Sequence, residues 1–76
     1  MDINEFIEHF AEQFEDTNSS EFKAETIFKD LDEWSSLMAL NIIAMVDEEY
    51  DVTLKGVDIE KSTTIKDLFN TVQSKK

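Results

Sequence analysis

No proline interrupts this chain, and Gly56 is its one glycine. Proline breaks a helix by removing an amide donor and clashing with the preceding turn, and glycine weakens one through backbone entropy. With both nearly absent, helix is permitted almost everywhere. Element boundaries must therefore come from capping residues and from the period of the apolar positions.

That period is clear at the start. Ile3, Phe6, Ile7, Phe10, Ala11 and Phe14 share one helical face from about Asp2 to Glu15, with Glu5, Glu8, Glu12 and Gln13 opposite. Asp2 or Asn4 supplies the cap. Asp16-Thr-Asn-Ser-Ser20 breaks the pattern and opens a long connection to about Ser35, whose Phe22, Ile27, Phe28, Leu31 and Trp34 require burial. The connection is therefore expected to lie packed across the helices. A second helix begins at Ser35 or Ser36 and runs to about Tyr50. Its apolar residues, Leu37 to Leu40 and Ile42 to Val46, wrap nearly the whole circumference, which is the mark of a central helix or one shared with a partner. It ends on Asp47, Glu48, Glu49 and Asp51, which oppose the negative end of the helix dipole. Val52-Thr53-Leu54 alternates but has no second strand to pair with, so it reads as extended loop.

A short helical turn is expected near Val57 to Lys61. Thr64 with Asp67 three residues later forms a near relative of the capping box and opens a last helix with Ile65, Leu68, Phe69 and Val72 on one face. Ser74-Lys75-Lys76 are expected to fray. The pattern predicts an all-α fold: one domain over residues 1–76, a small antiparallel four-helix bundle of three main helices and one short one, with a long first loop.

Charge narrows the function classes. Eighteen Asp and Glu against seven Lys and Arg give a net charge of −11. Such a chain repels nucleic acid and anionic membrane surfaces and attracts proteins with basic patches. The absence of cysteine excludes disulfides, thiolate chemistry and Cys-based metal sites. No basic-then-apolar leader is visible, and the apolar run Leu37 to Val46 is too short to span a bilayer. A cytoplasmic monomer is expected, with no stable membrane association.

Candidate chemistry is sparse. Asp30 and Asp32 begin like a calcium loop, but the positions that need an oxygen ligand, a glycine and a glutamate hold Trp34, Ser35 and Asn41, so no metal site is expected. His9 is the one histidine. It lies on the polar face of the first helix near Glu5, Glu8 and Glu12, and no nucleophile-and-base pair accompanies it. The chain is not expected to be an enzyme. Ser35-Ser36 remain. Serine is a preferred N-cap, and capping alone accounts for the pair. A helix N-terminus, with its free amides and positive dipole end, also suits a phosphate ester on a serine.

The run from Ser36-Leu37-Met38-Ala39-Leu40 through Asp47-Glu48-Glu49-Tyr50-Asp51-Val52-Thr53-Leu54 resembles the central segment of bacterial acyl carrier proteins. Lys61-Ser62-Thr63-Thr64-Ile65-Lys66-Asp67-Leu68 is similar to the opening of that family's last helix. The resemblance implies that Ser36 accepts 4′-phosphopantetheine from coenzyme A through a phosphopantetheinyl transferase. It implies that the arm's thiol holds acyl groups as thioesters, in fatty-acid or related lipid synthesis. It implies partner recognition by Leu37, Met38, Leu40, Ala44, Asp47 and Glu48, facing acyl-handling enzymes with basic patches. Phe28, Val46, Ile59 and Leu68 match positions near the family's acyl cavity, although plain core packing accounts for them too.

The sequence departs from the family at Ser35, where an aspartate is usual, and at Met38 and Asn41, where acidic residues are common. Trp34 beside the serine reads as a loop anchor. These departures leave open a dedicated carrier for a polyketide or amino-acid pathway. From another class, an unmodified acidic interaction module with Ser36 only as a cap also stays open.

Overall fold

The computed structural model describes residues 2–76. Among them are four α-helices: α1 (Ile3–Ala11), α2 (Ser36–Tyr50), α3 (Gly56–Lys61) and α4 (Ile65–Lys75). Helix α1 packs on α2 and α4, and α3 packs on α4, giving the expected small all-α bundle. Its centre is aromatic. Phe6 lies 5.5 Å from Phe69 and 5.7 Å from Tyr50, and Phe10 lies 5.6 Å from Phe28, centroid to centroid. Ile42, Val46, Ile65, Leu68 and Val72 close the core around these rings with no or almost no exposure.

The long first loop runs from Glu12 to Ser35 and carries two single 3₁₀ turns, Ser19–Glu21 and Phe28–Asp30. Phe22 and Phe28 plug it into the core. Its backbone also reaches α4: the Ile65 amide donates to the Thr26 carbonyl at 3.1 Å and the Lys66 amide to the Ala24 carbonyl at 2.9 Å. The first two amides of α4 are thus satisfied by the loop. The next is satisfied by the Thr64 hydroxyl at 3.1 Å. Asp67 completes a reciprocal capping box on Thr64.

Two boundaries differ from the sequence reading. The first helix stops at Ala11 rather than Glu15. The amides of Gln13 and Phe14 bond three residues back, to Phe10 and Ala11, which tightens the last turn and still buries Phe14. The cause lies far along the chain: the Glu33 carboxylate accepts the Glu15 and Asp16 amides at 3.2 and 2.9 Å, and the Thr17 hydroxyl. At the other end, α4 does not fray at Ser74 but continues to Lys75, whose ammonium lies 3.4 Å from the Asp58 carboxylate of α3. Val52-Thr53-Leu54 is extended as expected, with Val52 and Leu54 buried and Thr53 exposed.

Two predictions follow from this geometry. The Thr17 hydroxyl, with the Asp16 and Glu15 amides, holds the Glu33 carboxyl below its ordinary value. Its contribution to stability is therefore complete above the ordinary carboxylate pKa and is lost as pH falls through the lowered folded value. Glu33→Gln is expected to remove that part of the acid unfolding limb, measured by circular dichroism across pH 2 to 6 (roughly the carboxylate range). The second concerns Asp51, which caps α2 in the left-handed region with φ 56 and ψ 41. Asp51→Gly removes the Cβ penalty and a charge opposed to the dipole, and a gain of about 0.5–1 kcal/mol in urea unfolding is expected. Asp51→Ala removes the charge but also aspartate's tolerance of the left-handed region, and should be clearly less stable than Asp51→Gly.

Candidate functional site

The start of α2 differs from the start of α4 in one respect. Both have a side-chain cap: the Ser35 hydroxyl accepts the Met38 amide at 3.2 Å, and the Ser35 carbonyl accepts the Ala39 amide at 3.0 Å. No loop carbonyl covers the remaining two. Among the described residues the amides of Ser36 and Leu37 have no protein acceptor. Ser36, the first residue of α2, is exposed beside them. Unpaired amides at a helix N-terminus, with the dipole behind them, are complementary to an anionic group carried on that serine.

Ser36 also stands at the edge of an open groove of about 580 Å³. One wall is α2, through Ser36, Ala39, Leu40 and Ile43; the other is α3, through Gly56, Ile59 and Glu60. The loop closes the end with Lys29, Trp34 and Ser35. Trp34 is held there by an edge contact to Phe28 at 4.9 Å and by stacking on Phe14 at 6.5 Å. The sequence reading of Trp34 as a loop anchor therefore describes one of its sides; the other lines the groove.

The residues expected to meet partners separate into two sets. Leu37, Leu40, Ala44, Asp47 and Glu48 form one exposed stripe at helical spacing, with Leu37 at 67% and Leu40 at 61% exposure. Met38 lies off that stripe and is half-buried against the core. The stripe is apolar at the Ser36 end and acidic at the other. Of the four positions matched to an acyl cavity, Ile59 lines the groove. Phe28, Val46 and Leu68 lie wholly inside the core with no exposure.

Among the described residues no group of three or more His, Asp or Glu side chains is placed to hold a metal ion, and no helix is long and apolar enough to cross a membrane. His9 is half-buried rather than merely solvated. Its ring nitrogens lie 3.5–3.8 Å from carboxylate oxygens of Glu5, Glu12 and, across the α1–α2 contact, Glu49. Glu49 takes the place that the sequence reading gave to Glu8. The Tyr50 hydroxyl beside this cluster is buried without a partner. Burial, with Glu5, Glu49 and Asp2 nearby, pushes its pKa up to about 12.

Lys29, Gly56, Ala39 and Ile43 were missed as site residues in the sequence. Lys29 had no local signal: its ammonium reaches the Glu60 carbonyl at 2.8 Å, 31 positions away.

A serine that is exposed at an open helix N-terminus, beside a groove and an apolar-to-acidic stripe, is the layout of a tethered-cofactor carrier. The chain belongs to the phosphopantetheine attachment site family, which matches it over residues 4–72. Members carry covalent 4′-phosphopantetheine, are not themselves catalytic, and work with a phosphopantetheinyl transferase and with acyl-handling enzymes. No curated protein and no solved structure significantly matches the chain.

Because Ser35 caps α2, Ser35→Ala should cost about 1 kcal/mol in urea unfolding, while Ser35→Asp, which can accept the same amide, should stay near wild type.

Proposed function

We propose that this protein is an acyl carrier that holds its cargo on a 4′-phosphopantetheine arm esterified to Ser36, serving fatty-acid or related lipid synthesis. The observation that carries the attachment residue is the pairing of an exposed Ser36 hydroxyl with two unpartnered amides at the same helix start. In the loading step the Ser36 oxygen attacks the pantetheine-bearing phosphorus of coenzyme A, the pyrophosphate P–O bond breaks, adenosine 3′,5′-bisphosphate leaves, and the serine proton passes to a base of the transferase or to water. The Ser36 and Leu37 amides then stabilise the negative charge left on the serine-linked phosphate. The bound group supplies a thiol, which this cysteine-free chain lacks, and the thiol holds the acyl unit as a thioester.

Partner recognition falls on the exposed stripe of α2. Leu37 and Leu40 offer apolar anchors near the arm, and Ala44 lets a partner approach the backbone closely. Asp47 and Glu48, with the net charge of −11, draw partners with basic patches into encounter. Nucleic acid is disfavoured as a partner by the same charge. The absence of charge from Ser35 through Val46 supports a second reading, a carrier dedicated to a specialised polyketide or amino-acid pathway, because its partners must meet an apolar rather than an acidic surface at the arm. An interaction module that is never modified is disfavoured by membership of the phosphopantetheine attachment site family.

The test is direct. Incubation with coenzyme A, magnesium and a broad-specificity transferase should add the mass of one phosphopantetheine, and Ser36→Ala should abolish the addition. An unchanged intact mass for wild type with several transferases, or a mass increase that persists in Ser36→Ala, overturns the assignment.

A further inference from the structure

Lys29 is the one cation among the residues that line the groove beside Ser36. Its ammonium is not neutralised by a carboxylate: the ion pairs among the described residues involve His9 and Lys75, and Lys29 takes part in none of them. Instead it is fixed in place by neutral groups. It donates to the Glu60 carbonyl at 2.8 Å and lies 5.8 Å from the centre of the Phe28 ring. A lysine ammonium has three donors, so one bond to a carbonyl leaves donors over for an anion. Most lysines of the chain are likewise outside the ion pairs; Lys29 differs in being held by neutral groups among the residues that line this groove.

We infer that Lys29 is an arm-positioning residue, whose ammonium attracts the Ser36-linked phosphodiester toward the groove and so biases the arm to lie along it rather than in open solvent. This rests on the carrier reading above. The phosphodiester carries a permanent negative charge, and the groove lining holds one carboxylate residue, Glu60, whose backbone carbonyl already takes one Lys29 donor. Lys29 and the free Ser36 and Leu37 amides are the positive features on its side. With the phosphate drawn in, the rest of the arm meets the apolar floor of Ala39, Ile43 and Ile59 and the Trp34 wall. Trp34 is the sole tryptophan, so arm occupancy has its own optical reporter.

The test compares apo and fully modified holo forms of wild type, Lys29→Gln, Lys29→Glu and Lys29→Arg, with intact mass confirming one arm on each. Trp34 emission and the rate at which iodoacetamide alkylates the arm thiol are read at low salt and at about 1 M salt, where the screening length is about 3 Å. In wild type the arm should shift Trp34 emission and the thiol should react slowly, with both effects weakened by salt. Lys29→Gln should raise the alkylation rate roughly two- to fivefold, the range of an exposed ion pair. Lys29→Glu should raise it at least as much, and Lys29→Arg should restore the wild-type rate. Circular dichroism checks that each variant is folded; Lys29→Gln, which adds no charge, carries the test if Lys29→Glu is not. Holo forms with the same alkylation rate and Trp34 shift in all four proteins overturn the role of Lys29 while leaving the carrier reading intact. Failure of wild type to accept an arm at all overturns the carrier reading first.

Discussion

The contact on which the site depends is the edge of Phe28 against Trp34, at 4.9 Å. It is the outer link of a chain of rings that starts at Phe69 on α4, passes through Phe6 and Phe10 of α1, and ends two residues before Ser36. A loop of this length would normally leave its end loosely placed, since little regular backbone bonding restrains it. Here aromatic burial, the largest packing contribution a side chain can make, transmits the position of the core to Ser35 and Ser36. In a domain of 76 residues, with little buried surface to spare, that use of four phenylalanines and Trp34 also explains how the loop is held.

The same loop decides which helix start is open. Its Thr26 and Ala24 carbonyls cover the first amides of α4, and nothing equivalent covers those of α2. Both starts are well capped, so capping alone does not mark a site. Bare amides alone do not mark it either, since those of Gly56 and Val57 in α3 also have no protein acceptor among the described residues; what marks it is bare amides together with an exposed serine at the groove edge. The α2 start carries that serine as its first residue, and the covered α4 start carries Ile65, whose side chain has no exposure.

Much of this could be read from the chain because it is encoded locally. Ser35 and Thr64 announce their helices by short-range chemistry, and both cap as expected. The apolar period found the buried faces of α1 and α4. What escaped depends on contacts between positions far apart. The Glu33 clamp on Glu15 and Asp16 ends the first helix early, and neither segment alone reveals it. The Lys29 bond to Glu60 likewise joins a loop to a helix. On α2 the near-uniform apolar sequence hid the division between faces. Period alone does not show that Met38 turns to the core while Leu37 and Leu40 stay outside, because all three have the same chemistry and only the tertiary packing separates them.

On the proposed carrier reading, the acidic end of α2 would tie partner binding to stability. Asp47, Glu48, Glu49 and Asp51 crowd the negative pole of the helix, and among the described residues the one nitrogen-bearing side chain placed against this cluster is His9, between Glu5, Glu12 and Glu49. Asp47 and Glu48 are exposed and have no cationic partner among the described residues. A partner that brings basic side chains to them offsets a repulsion present in the free protein. Because such a partner binds the folded form, its binding energy adds to folding stability. On that reading, the residues that oppose the α2 dipole are the ones a docking partner would neutralise, and the apolar end of the same stripe lies beside Ser36. A stripe neutralised within the chain would fold more firmly and attract partners less.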